Sequence, residues 1–188
     1  MLQAPASAQL IEAFANTLDV DAGTDALASP AGLATWLLDQ GLFDRARRVT
    51  AEDHALALRL RAGLREVLGT HVGDLPDPAL VAAADDALGM LPVLVTVVGG
   101  ADTPGPGLPP VRRALAAVAL AWARLIATGE AARLKRCAEH TCAEVFWDVS
   151  KNRSRRWCSM SVCGNRAKAR THALRQAAAA ERSHQGRS

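Results

Sequence analysis

Cys137, Cys142, Cys158 and Cys163 are the only cysteines in the chain, and they constrain its C-terminal part more than any other feature. They form two C-x4-C pairs separated by fifteen residues and set among basic side chains. Four thiolates complete a tetrahedral zinc shell and leave no open position, the pattern of a structural rather than a catalytic site. Two other uses compete: a pair of disulfides, which suits a short secreted domain, and an iron–sulfur cluster. Met1 to Val20 lacks the basic segment and apolar run of a secretory signal. The expected compartment is therefore the cytoplasm, where thiols stay reduced, and the expected cofactor is structural Zn2+. His140, inside the first pair, is expected to be a solvated loop residue.

Charge divides the chain in two. Residues 1–132 hold nine Lys/Arg and fifteen Asp/Glu, a balance of −6, whereas residues 133–188 hold thirteen and four, a balance of +9. A one-signed block of that kind repels itself unless a polyanion binds it. No apolar run reaches the ~18 residues a membrane helix needs, so no membrane partner is expected. The division suggests a body over residues 1–132 and a basic module over 133–188.

Helical periodicity dominates the body. Leu10, Ile11, Phe14, Ala15 and Leu18 predict an amphipathic helix over ~7–18. Ser29-Pro30 opens a second, ending at Gly41. Thr50, with Asp53 three residues on, resembles a capping box and opens a third, with Leu56, Leu60, Leu64 and Leu68 on one face, ending at Gly69. Asp77-Pro78 opens a fourth, ending near Gly89. The β-branched run Val93 to Val98 reads as a strand and Gly99 to Pro110 as a loop. Pro110 starts a helix through Ile126, which Gly129 bends.

In the module, Cys137 and Cys142 bracket a knuckle. Glu144 to Asp148 reads as a strand, and Arg155 to Cys158 as the strand that returns to it. Cys163 then lies near the start of a last helix, Gly164 to about Ala180, where a helix dipole favours negative charge. The expected fold is mainly α with a small β component: a helical domain followed by a treble-clef-like finger of knuckle, hairpin and helix. Lys151, Arg153, Arg155, Arg156, Arg166, Lys168 and Arg170 form the candidate nucleic-acid surface, with Arg166 and Arg170 on one helical face. Five or six duplex phosphates would give a log–log salt slope of about −4.5 to −5.5. Asn165 suits either an adenine edge or a helix cap. Trp147 and Trp157 are expected to be core residues.

The stretch from Trp157-Cys158-Ser159-Met160 through Cys163-Gly164-Asn165-Arg166 resembles the signature of the CGNR zinc finger family. Arg133 to Cys137 and Phe146 to Arg156 are similar to the rest of that module, and all four cysteine positions match, over about residues 133–175. Phe14-Ala15-Asn16-Thr17-Leu18, Ser29-Pro30 to Trp36-Leu37 and Leu64-Arg65-Glu66 resemble the ABATE domain that precedes this finger in its relatives. The resemblance implies a bacterial, stress-induced transcription regulator: a DNA-binding finger, and an N-terminal domain for sensing or assembly.

The leading expectation is a DNA-binding regulator that is not an enzyme, since no P-loop, G-x-G-x-x-G, G-x-S-x-G or H-E-x-x-H occurs. Dimerisation is expected only from the habits of bacterial regulators, and no ligand-binding residue is identifiable. Alternatives are an RNA-binding or ribosome-associated protein, an enzyme anchored by its finger, and a redox switch in which thiolate oxidation ejects zinc. Cysteine substitution is expected to unfold the C-terminal module and leave the body intact.

Overall fold

A computed structural model describes residues 3–95 and 103–185, with side chains through residue 176. Helix α1 (Ala6–Ala15) is followed by a hairpin of β1 (Leu18–Asp19) and β2 (Thr24–Asp25), then α2 (Pro30–Asp39), α3 (Ala51–Thr70) and α4 (Pro78–Gly89). A second hairpin, β3 (Val93–Leu94) with β4 (Thr103–Pro104), leads to α5 (Pro110–Ala127). The third antiparallel pair, β5 (Leu134–Arg136) with β6 (Val145–Trp147), precedes a π-helical turn (Met160–Gly164) and α6 (Asn165–Gln185).

The helix starts follow from side-chain caps. Ser29 Oγ accepts from the Gly32 amide at 3.1 Å, Thr50 Oγ1 from Asp53 at 3.1 Å, and Asp77 Oδ1 from Ala79 at 2.8 Å. Each hydroxyl or carboxylate satisfies an amide that has no partner within its helix. The capping box at Thr50 is only half formed, because Asp53 turns its carboxylate to Arg112 Nε at 2.8 Å. Gly41 and Gly129 leave α2 and α5 with φ of +67° and +68°, where a Cβ would be strained.

Phe14, Ile11, Leu33, Leu37, Leu56, Leu60, Leu68, Leu115 and Leu125 form the buried centre, with Phe14 tilted against Trp36 at 5.2 Å between ring centroids. Leu134, Val145 and Trp147 belong to the same cluster, so the β5–β6 hairpin is a continuation of the helical core. Gly63 admits α4 against α3: a Cβ there would lie 2.2 Å from that of Ala84.

Four sequence expectations need correction. The first helix stops at Ala15, and Leu18 pairs in β1, because the Asn16 side chain is taken by the backbone of Val145. Only Val93–Leu94 of the long predicted strand is paired among the described residues, and Thr96 to Val98 lie outside them. Thr103–Pro104 is a strand inside the predicted loop. The strand opposite Val145–Trp147 is Leu134–Arg136, not Arg155 to Cys158. The returning segment makes one backbone bond, from the Ala138 amide to the Arg156 carbonyl at 2.8 Å, and no ladder forms because Lys135 Nζ takes the carbonyls of Arg153 and Arg155 and Asp148 takes the Arg155 amide.

Candidate functional site

The β5–β6 hairpin and the turn before α6 bring the cysteines together. Cys137 leaves β5 with its amide bonded to the Glu144 carbonyl at 2.7 Å. Glu139, fully buried, tightens the knuckle: its carbonyl accepts from the amides of Cys142 and Ala143 at 2.9 and 2.8 Å. The chain then turns through Ala143 at φ +52°. Cys163 sits in the π-helical turn, which Ser159 opens by accepting from the Val162 amide at 3.3 Å. A Cβ at Gly164 would stand 2.5 Å from Sδ of the exposed Met160 and displace that side chain.

All four Sγ atoms lie within 4.8 Å of one another. Cys142 to Cys158 measures 3.7 Å and Cys158 to Cys163 3.6 Å. Tetrahedral zinc with Zn–S bonds of about 2.3 Å needs sulfurs about 3.8 Å apart. Those spacings therefore fit zinc and exceed by far a disulfide bond of about 2.05 Å. Burial pushes the Cys163 thiol up to about 12 and raises Cys158 as well. A dication reverses that tendency, since a coordinating thiol is deprotonated outright. Phe146 packs against the cysteines, and the Arg155 guanidinium covers its ring at 4.9 Å.

The predicted basic residues separate into two groups. Arg155 turns inward and donates to the Cys158 carbonyl at 2.5 Å. Arg166 reaches Asp21 at 3.2 Å, and Arg170 pairs with the buried carboxylate of Glu139. Burial would raise the Glu139 carboxyl, but Arg170 and Thr141 outweigh it and hold it below its ordinary value. The Arg166–Arg170 face of α6 is thus turned to the acidic body and the knuckle. Lys151, Arg153, Arg156 and Lys168 are exposed. Asn165 donates to the Ser161 carbonyl at 2.9 Å, so its amide closes the π-helical turn.

The opposite face of α6 is not singled out by the sequence. Lys168, His172 and Arg175 are spaced i, i+4, i+7 and line a groove with Arg156 and Trp157. The Arg156 guanidinium lies 5.7 Å from the half-buried Trp157 ring. That spacing is present in the sequence, but the i, i+4 pair Arg166 and Arg170 satisfies the same rule and points to the other face.

The body reaches directly into the knuckle. Asn16 exchanges two hydrogen bonds of 2.8 Å with the backbone of Val145, completing the outer edge of β6 as another strand would. Arg65 donates to the Ala15 carbonyl at 2.7 Å and the Ala143 carbonyl at 2.9 Å. Burial, then the neighbouring Arg136 and Arg61, lower its pKa to about 10. Arg136 pairs with Glu66 at 2.5 Å and Asp74 at 3.3 Å, and His71 Nδ1 contacts the Leu134 carbonyl at 2.7 Å.

A helical body joined through its core to a four-cysteine finger defines a zinc-binding protein of two sequence segments. Residues 133–176 match the family described as CGNR zinc finger. Residues 8–129 match ABATE, described as "putative stress-induced transcription regulator", and the chain belongs to that family. No curated protein matches the chain in sequence. Together with the sulfur geometry, the finger match makes the cofactor structural zinc. No helix among the described residues is long and apolar enough to cross a membrane.

Proposed function

We propose that this zinc protein is a non-enzymatic bacterial regulator, acting in the cytoplasm, that binds duplex DNA through the groove between Arg156–Trp157 and α6. The observation that carries this reading is the convergence of Arg156, Lys168 and Arg175, three cations from two segments, on one groove beside a zinc-held scaffold. Cations fixed along a groove neutralise phosphates and release their counterions, and a rigid scaffold limits the entropy lost on binding. The body supplies regulation, and its negative balance disfavours contact with DNA elsewhere.

Selection of genomic fragments by the zinc-loaded protein, beside an R156A/K168A/R175A variant, tests it. A shared motif recovered only with the unaltered groove is expected. With three or four phosphates engaged, the log–log salt slope should be about −3. This is shallower than the full basic set would give, because Arg155, Arg166 and Arg170 are engaged within the protein. Equal recovery by the variant, or retention of structured RNA in preference to duplex, would reject the reading.

A further inference from the structure

Five of the nine Lys/Arg of the acidic body lie in two short stretches, Arg45, Arg47 and Arg48, and Arg112 and Arg113. Arg112 and Arg113 occupy the first turn of α5, the end of a helix where the dipole disfavours cations. Arg112 is compensated by Glu52 and Asp53. Arg113 has no carboxylate partner among the described residues, and its guanidinium makes only a 3.5 Å contact with the Leu108 carbonyl. The N-cap, Pro109, offers no side-chain acceptor either. The Arg113 guanidinium therefore stands at this helix start without a compensating carboxylate among the described residues.

That end of α5 borders an open groove. Leu42 and Phe43 come from the α2–α3 connection, Leu108 from the approach to α5 and Ala114 from α5 itself. Arg47 and Arg113 line the same groove, and so does Asp44, which leaves the two cations one charge in excess. Arg47 spends one N–H on the exposed Asp44 at 2.9 Å, out of the five a guanidinium carries. None of the lining residues belongs to the finger.

We propose that this groove binds a small amphipathic anion, an organic acid whose head group meets Arg47 and Arg113 and whose apolar body lies on Leu42, Phe43, Leu108 and Ala114. A concave apolar surface with a few convergent polar groups is the usual form of a small-molecule site. The apolar floor distinguishes it from a phosphate-backbone contact, which needs cations but no such floor. Its position in the body makes it an effector site for the regulator, and its occupancy can be measured without DNA.

The test uses the full zinc-loaded chain and 8-anilinonaphthalene-1-sulfonate, an aromatic body with a single anionic head, followed by fluorescence. Saturable binding of one probe per chain is expected, displaced by decanoate and far less well by decanol. R47Q and R113Q should each weaken it about tenfold, the loss of a charge-assisted hydrogen bond, with the melting temperature unchanged. R59Q, an exposed arginine on α3 outside the groove, should leave it intact. No saturable binding, equal displacement by decanol, or indifference to both R47Q and R113Q would overturn the proposal. These outcomes do not depend on whether the finger binds DNA.

Discussion

Lys135 shows how much one buried charge arranges. Its ammonium has three donors, and all three are used: on Asp148 at 2.8 Å and on the carbonyls of Arg153 and Arg155. Asp148 in turn accepts from the amides of Ser150 and Arg155 at 2.8 and 3.0 Å. The pair is fully enclosed, so removing one partner strands the other. Lys135→Met or Asp148→Asn should cost about 3–5 kcal/mol in chemical unfolding at neutral pH. The double variant should cost less than the sum, because neither charge then remains unpaired. Burial would raise the Asp148 carboxyl, but Lys135 and Ser150 outweigh it and set its pKa at about 2. A lowered carboxyl contributes stability above its unfolded pKa near 4 and loses it as pH falls from about 4 to 2, here about 2 kcal/mol. Acid also releases zinc, but from wild type and D148N alike. The stability gap between them should therefore begin to close below about pH 4, and a gap independent of pH would contradict the assignment.

At the scale of elements, α1 and α3 act as outer supports of the zinc knuckle. Asn16 ends α1 and holds the edge of β6, while Arg65 on α3 holds the turn at Ala143, one residue beyond a zinc ligand. Partners behind a metal's ligands tune its affinity by about 10–100-fold. Asn16→Ala and Arg65→Met should each speed zinc transfer to a chromogenic chelator by about tenfold. Asn16→Ala should also lower stability by about 1–3 kcal/mol, since two backbone groups of Val145 lose their partners. Unchanged zinc transfer in both would mean the body does not support the knuckle. Much of this architecture is legible in the sequence: the cysteine spacing marks the metal site, and Ser29, Thr50 and Asp77 mark three helix starts through strictly local chemistry. What stays hidden depends on distant partners. Leu134–Arg136 does not read as a strand because Lys135 is buried only by virtue of Asp148, thirteen residues on. Arg166 and Arg170 read as free cations because their carboxylates, Asp21 and Glu139, come from elsewhere in the chain. Asn16, Thr17, Arg65 and Glu66 stand out by resemblance, but the docking role of Asn16, Arg65 and Glu66 emerges only in three dimensions.

For the whole molecule, the decisive fact is that the core crosses into the finger. Leu134, Val145 and Trp147 pack with the helices, and the Arg136 guanidinium sits so close to Gly69 that a Cβ there would meet it at 2.6 Å. By contrast, α6 is held through Cys163 and the pairs of Arg166 and Arg170, and the other face of its described side chains, residues 165–176, is exposed. The finger therefore has two halves with different dependence on metal, and the expectation that it unfolds as a unit gives way to a graded one. Zinc removal should release residues 159–176 first, since they lose their metal anchor and bury little apolar surface of their own, whereas Lys135 and Asp148 keep hold of residues 153–155. The β5–β6 hairpin should remain docked on the body, while the knuckle loses the Arg170 partner of Glu139. Hydrogen exchange after chelation, or in Cys163→Ser, reads both halves in one experiment. Protection lost in 159–176 and kept in 134–136 and 145–147 is the expected result. Equal loss in the hairpin and the helix, with the body untouched, would show instead that the finger folds as an independent module and that the shared core contributes nothing to it.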